Sequence, residues 1–455
     1  MLALAVGMLL AMPVGAVTTE NGQVDDVSST TNSQSHEGDS SDVRKKLENQ
    51  GLTLGFNWTA EGISNVSGGM KRGSILQGKL EVDVTDDLEK MFGEKGLSFF
   101  LNIFQIHGKG GISRSYVGNF NTISNIEAQP TTRLSEAWFE QKIFSDTSSI
   151  RIGQLVTDAE FFISDQSTFF MNSDWPAIVK SDLPSGGPAY PLSTPGVRLK
   201  VEPNKQTTFL LGLFNGDPSG PGPSDPEFKN HYGLNFRLQD SPLLISELQY
   251  RYNREEAATG LAGVLRFGAW RHFGTFDNQR YDANGRSLGN PLSTGVPAKL
   301  SGDIGVYGVI DQQVYRPIGS GPDSGINLFS RISATPSDRN PVDFYLDGGI
   351  VFTGMLKGRP DDKFGATFLY SKISSDARAL DQDTIMFSGV QKPVRDYEMT
   401  VAVAYLFQIL PSWTVQTEIH YILHPGGNIP DPLAANQSTA IKNSTVLGLR
   451  SVYSF

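Results

Sequence analysis

The sequence predicts an all-β chain that forms a transmembrane antiparallel β-barrel. Three observations carry this. The chain ends on an amphipathic strand whose last residue is aromatic. Runs of alternating apolar and polar residues recur from residue 51 onward. The polar faces of those runs bear charges that a dry protein core would reject.

The C-terminal end is the most specific of these. In 447–455, Leu447, Leu449, Ser451, Tyr453 and Phe455 alternate with Gly448, Arg450, Val452 and Ser454, so one face is mostly apolar. A bare edge strand invites pairing with other chains, and closure of a barrel removes that edge. A terminal strand ending in Phe resembles the terminal signal of bacterial outer-membrane barrels, read by the barrel-assembly machinery. The competing reading of this segment alone is an edge strand of a soluble sandwich.

The 455 residues include 48 Gly and 27 Phe but no Cys. Gly and aromatics suit tight turns and interfacial girdles. The lack of Cys excludes a thiol nucleophile and a Cys-based metal site, and fits an envelope compartment. Beyond the N-terminus there is no apolar run long enough for a transmembrane helix. Residues 1–16 are apolar, with Val14 and Ala16 placed like the small residues before a signal-peptidase cut. No Lys or Arg precedes this apolar core. Residues 17–50 are rich in Ser, Thr, Asn, Asp and Glu, with seven acidic groups against three basic ones. They are expected to form a disordered acidic periplasmic tail or linker, leaving 51–455 as the barrel domain. The net charge of −10 points away from a nucleic-acid partner.

The strands follow in order. Leu52, Leu54, Phe56 and Trp58 alternate with polar or small residues, and Leu76, Leu80, Val82 and Val84 with Gln77, Lys79, Glu81 and Asp83. Near the other end, Tyr397, Met399, Val401, Val403, Tyr405 and Phe407 alternate with Glu398 and Thr400. Trp413, Val415, Thr417, Ile419 and Tyr421 alternate with Gln416, Glu418 and His420. Such runs have about the 9–11 residues that a tilted strand needs to cross a bilayer. By parity, Lys79, Glu81, Arg198, Lys200, Arg237, Glu247, Arg251, Arg331, Glu398, Glu418 and Arg450 face the interior. A water-filled lumen accepts them. Short connections (145–148, 203–206, 408–411) alternate with long ones (108–132, 156–195, 216–230, 273–301, 373–396, 424–443). Residues 85–92 read as a short helix. The tally gives about seventeen strands, where an even number is required to return the chain to its starting side. The ambiguity lies between 231 and 315.

Several segments, in this order, are similar to the carbohydrate-selective porins of the OprB family. They are Arg151-Ile152-Gly153-Gln154-Leu155 with Asp158, Phe161-Phe162 and Phe169-Phe170-Met171-Asn172-Ser173; then Gly187-Pro188-Ala189-Tyr190-Pro191 and Pro195-Gly196-Val197-Arg198-Leu199. Gly268-Ala269-Trp270-Arg271-His272, Glu418, Tyr421-Ile422 and His424-Pro425-Gly426-Gly427 extend the likeness over 51–455. The resemblance implies about sixteen strands, an inward-folded loop, and passive diffusion of mono- and small oligosaccharides across the outer membrane.

The expected site is a constriction, since pores select by radius, lining hydrogen-bond groups and rings of charge. Loop 156–195 is the best candidate, because a loop of that length requires a function. From it come Asp158, Asp174, Trp175 and Tyr190; beside it stand Arg151, Glu136 and Glu140. Aromatic rings stack on the C–H faces of sugars, while carboxylates and Arg hydrogen-bond the hydroxyls. Trp175 and Tyr190 are expected to be the exposed rings, because each has a polar tip. No catalytic residue, cofactor or metal is expected. Six His occur without ligand spacing, and no nucleophile-elbow, P-loop or dinucleotide motif is present. Two other readings are a barrel hydrolase and a structural or adhesive barrel with a plugged lumen. The expected partners are permeating sugars, outer-membrane lipid and the assembly machinery, with the chain a monomer or homotrimer.

Overall fold

The computed structural model describes residues 40–144, 146–255, 258–321, 323–435 and 438–455. The expected signal peptide 1–16 and residues 17–39 of the expected tail lie outside them. Sixteen antiparallel strands form one closed barrel. They are β1 (Leu52–Gly69), β2 (Gly73–Asp87), β3 (Leu97–Gly108), β4 (Thr131–Ile143), β5 (Ser148–Leu155), β6 (Thr194–Val201), β7 (Thr207–Asn215), β8 (Pro242–Tyr252), β9 (Gly263–Asp282), β10 (Pro297–Tyr315), β11 (Gly325–Ala334), β12 (Val342–Thr353), β13 (Lys363–Ile373), β14 (Tyr397–Leu410), β15 (Trp413–Leu423) and β16 (Lys442–Ser454). Each pairs with its sequence neighbours, and β1 pairs with β16 from Asn57 opposite Ser454 to Gly69 opposite Lys442. Helices α1 (Ser40–Asn49), α2 (Leu88–Phe92), α3 (Ala177–Asp182), α4 (Pro226–Lys229) and α5 (Ser375–Ser388) lie in or beside the connections.

Alternation sorts the side chains. Trp58, Ile152, Leu213, Phe267, Val403, Ile419 and Leu447 point outward and are exposed, whereas Glu61, Arg198, Glu247, Arg331, Glu398 and Glu418 point inward and are buried. The end carrying both termini has the shorter turns, which marks it as periplasmic. Aromatics ring that end, among them Phe352 stacked on Phe364 at 4.4 Å and Tyr405 against Phe407 at 4.2 Å. The loops at the opposite end, most of them longer, are L1 (70–72), L2 (109–130), L3 (156–193), L4 (216–241), L5 (283–296), L6 (335–341), L7 (374–396) and L8 (424–441).

The structure differs from the sequence-based expectations in four places. Residues 40–49 of the expected tail form α1, with an Arg44–Glu48 pair at 3.3 Å one turn apart and Arg44 donating to the Leu54 carbonyl at 3.2 Å. The helix therefore rests on the barrel instead of trailing from it. The expected helix at 85–92 begins at Leu88, because β2 runs on to Asp87, whose carboxylate caps the first turn through Lys90 N. In the ambiguous region 231–315 there are three strands, β8 to β10. Much of the expected loop 273–301 is the continuation of β9 and β10, with Lys299 opposite Asp277 and Pro297 opposite Asp282. Its polar, Gly-rich sequence reads as loop, but cross-strand pairing holds it as a ladder. Conversely, Tyr232, Leu234, Phe236 and Leu238 alternate like a strand yet lie in L4, and Arg237 pairs there with Asp240 at 2.6 Å instead of facing the lumen.

The fourth difference is the lumen. L2 and L3 fold into it. Phe161, Phe162, Trp175, Ile178, Val179 and Leu183 of L3 pack against inward residues Leu210, Phe214, Leu243, Ile245, Trp270, Tyr307, Val309 and Tyr345 of the wall. Ile112, Val117 and Ile123 of L2 pack with Ile63, Ile75, Ile422 and Val446. Part of the second face is thus a dry core, not a wet one.

Closure depends on the last residue. Phe455 exchanges both backbone hydrogen bonds with Phe56 at 2.9 Å, and the rings stack at 5.3 Å. Such a pair contributes about 0.5–1.5 kcal/mol beyond its burial. Phe455→Asp is expected to lower the heat at which the barrel shifts in gel mobility and to reduce its yield in the outer membrane. Unchanged values for both would remove this role.

Candidate functional site

L3 leaves β5 after Leu155 and returns at Thr194. Inside the barrel much of its backbone is removed from bulk water and has no neighbouring strand, so many of its amides and carbonyls need other partners. The wall supplies them. Glu247 accepts from Phe162 N at 2.7 Å, and Asp311 accepts from Asp165 N at 3.1 Å and Gln166 N at 3.2 Å. Glu418 accepts from Met171 N at 2.9 Å, Gln416 donates to the Phe169 carbonyl at 2.9 Å, and Arg331 donates to the Asp174 carbonyl at 3.1 Å. L2 is held the same way: Glu398 accepts from Phe120 N at 3.0 Å and Asn121 N at 2.7 Å.

On the β4–β6 side, L3 meets the wall through charges. Arg198 donates to Glu140 at 2.9 Å and to Glu160 of L3 at 2.8 Å. Arg151 donates to Glu140 at 2.7 Å, lies 3.8 Å from Glu160, and stacks its guanidinium 3.6 Å over the Trp138 ring. Burial raises the Glu160 carboxyl, but Arg151 and Arg198 outweigh it and hold the group below its ordinary value. Glu136 accepts from Val156 N at 3.4 Å, where the loop departs.

A second group forms where L2 and L3 touch. Asp158 accepts from Tyr190 N at 2.7 Å, and burial pushes its carboxyl up to about 6. Tyr190 donates its hydroxyl to the Ile126 carbonyl at 2.9 Å, packs on Phe104, and lies 5.3 Å from the Lys79 ammonium. Lys79 is also 4.4 Å from the Phe104 ring and 2.9 Å from Glu81. Asp174 accepts from Lys180 at 2.7 Å and Thr122 at 2.9 Å.

The seven expected residues therefore separate. Arg151, Glu140 and the loop's Glu160 form one cluster, with Glu136 beside it. Asp158 and Tyr190 form another with Lys79. Trp175 is not an exposed ring: it is 4 % exposed, and its indole N–H donates to the Phe161 carbonyl at 3.1 Å. Its polar tip is satisfied inside the loop, which permits full burial. Asp174 ties L2 to L3. Sequence reasoning missed the inward course of L2, although its isolated Ile112, Val117, Ile123 and Ile126 were the available signal. It also left Glu160 out of the cluster, since only folding brings the loop to the wall.

Residues 71–455 match the family of carbohydrate-selective porins, OprB. The chain belongs to that family. The porin is 23 % identical over 411 residues to Porin B of Pseudomonas aeruginosa, covering 86 % of this chain and 87 % of that one. A high-pH structure of Pseudomonas putida OprB covers 94 % of this chain and 99 % of its own, with a TM-score of 0.78 at 21 % identity. A low-pH structure of the same protein covers 92 % and 97 %, with a TM-score of 0.55 at 16 % identity. This chain is thus a carbohydrate channel of the bacterial outer membrane.

Two outcomes follow from the loop's anchorage. Arg198→Met leaves Glu140 and Glu160 facing each other with Arg151 alone between them. Breaking such a buried pair from one side costs about 3–5 kcal/mol, so the unfolding midpoint of the porin is expected to fall clearly in a thermal scan. Asp158 titrates higher in the folded protein than the roughly 3.9 of an unfolded chain. The folded state therefore holds this proton more tightly, and the stability it contributes is complete below pH 4 and lost as pH rises through about 6. Asp158→Asn is expected to stabilise relative to the parent more at pH 7 than at pH 4. The difference should be about 2 kcal/mol, since each tenfold change in proton affinity is worth about 1.4 kcal/mol. Equal offsets at the two pH values would contradict this.

Proposed function

We propose that mono- and small oligosaccharides pass between L3 and the inner face of β2–β6. The observation that carries this is an asymmetry in the loop's packing. Toward β7–β13 L3 is sealed by the apolar core around Phe162, Trp175 and Tyr307, whereas toward β2–β6 it meets charged side chains, with Lys79, Glu81, Glu140 and Glu160 partly exposed and Arg151 buried behind them. Along that side stand Lys79, Glu81, Glu140, Arg151 and Glu160, with the Tyr190 ring beside them. Alternating cations and carboxylates offer donors and acceptors to sugar hydroxyls, and the partly exposed Tyr190 ring, backed by buried Phe104, offers an apolar edge to C–H faces. Asp174 and Trp175 act one step removed, by holding the loop in place. The path lies within a single barrel, so each copy conducts, whether alone or as one of three. The strand ending at Phe455 is the segment presented to the assembly machinery.

Shortening L3 within 159–187, with its flanks retained, is expected to raise single-channel conductance and relax size exclusion. Arg151→Ala is expected to weaken block of the ion current by sugars by up to about 1–3 kcal/mol, the scale of one lost buried polar partner. Trp175→Phe should leave the block nearly unchanged. Conductance and block that stay constant in the shortened loop would move the path elsewhere in the lumen.

A further inference from the structure

We propose that residues 232–238 of L4 complete the barrel wall where its strands fall short, and that their side chains lie among the acyl chains of the outer leaflet. The wall is lowest at β5 and β6, which have 8 residues each. A tilted strand needs about 9–11 to cross the hydrocarbon. Between β4 and β8 the extracellular rim therefore dips to a depth that lipid would reach.

L4 runs along this dip. At one end the Tyr232 carbonyl accepts from Leu134 N of β4 at 3.0 Å, and Gly233 lies so close to the Leu134 carbonyl that a Cβ would collide with it. At the other end Asp240 N donates to Asn215 Oδ1 at the top of β7 at 3.0 Å. Seven extended residues reach about 23 Å, and the four interstrand steps from β4 to β8 span about 19 Å. The segment has the length to bridge the gap.

Its chemistry suits lipid. Tyr232, Leu234, Phe236 and Leu238 are all exposed, at 54–78 %. On the strands beneath them, the laterally paired outward residues Phe139, Ile152, Val197 and Leu213 of β4–β7 are exposed as well. An irregular backbone is tolerated near hydrocarbon only if its polar groups are met. Here four of the seven amides are met: Gly233 N donates to the Asn230 carbonyl at 3.3 Å, Asn235 N to Asn230 Oδ1 at 3.2 Å, Arg237 N to the Asn235 carbonyl at 3.0 Å, and Leu238 N to Gln239 Oε1 at 3.1 Å. The one charge in the stripe, Arg237, is neutralised by two hydrogen bonds to Asp240 at 2.6 and 2.7 Å. Continuity with the lipid-facing wall selects lipid over a second copy of the chain or open water.

The test uses the absence of cysteine in the porin. Single variants Leu234→Cys and Phe236→Cys carry a nitroxide label in phosphatidylcholine vesicles, and collision with oxygen is compared with collision with a water-soluble nickel chelate. Leu213→Cys on the outer wall is the lipid reference, and Leu292→Cys in L5 the water reference. The expected oxygen-to-nickel ratio at 234 and 236 matches that at 213 and is several-fold above that at 292. A ratio like that at 292 overturns the proposal. So does spectral broadening that disappears when unlabelled porin is added, which assigns the stripe to a second copy. Leu234→Trp tests the same placement without a label. Its fluorescence should be strongly quenched by bromine-labelled lipid, and fluorescence that such lipid leaves untouched overturns the proposal as well.

Discussion

The constraint on which this structure rests is that two long loops fold inside a barrel, where much of their backbone is removed from bulk water and has no neighbouring strand. Every inward carboxylate that caps a loop amide answers it: Glu247 for Phe162, Asp311 for Asp165 and Gln166, Glu418 for Met171, and Glu398 for Phe120 and Asn121. A buried amide left unmet is costly. The barrel wall thus does for L2 and L3 what a sheet does for a strand, through side chains instead of main chain.

That division shapes the channel. Charges on β8, β10, β14 and β15 are consumed in holding the loops. Of those on β2 and β4–β6, Lys79, Glu81 and Glu140 remain partly open, whereas Arg151 and Arg198 are buried. Arg198, itself buried, links the two, joining the wall carboxylate Glu140 to the loop carboxylate Glu160. Loop position and pore charge are therefore one property, not two.

The legibility of the fold in the sequence follows the same line. β14, β15 and β16 read clearly because their inward positions, such as Glu398, Thr400, Gln416 and Glu418, are polar and alternate with lipid-facing residues. β7 and β8 blur because inward Leu210, Phe214, Leu243 and Ile245 face the L3 core, so both faces are apolar and the period is lost. In L4 the opposite holds: Tyr232 to Leu238 has the period of a strand without its ladder. The inward course of L3 was legible from its length, and so was the position of Arg151 and Glu140 beside it and of Asp158 and Tyr190 within it. That Trp175 is buried and that Glu160 meets two arginines required the path of the loop, which depends on partners up to hundreds of residues away.

The pairing of β1 with β16 carries a last consequence for biogenesis. The contact that seals the cylinder joins Phe56 to the final residue, so the seal is the most non-local contact in the barrel and its closure entropy the largest. No shorter piece of the barrel can imitate the finished object, because any chain that stops early keeps two raw edges in the lipid. Closure is thereby written into the geometry: a product lacking β16 stays open, with the edges of β1 and β15 left unpaired.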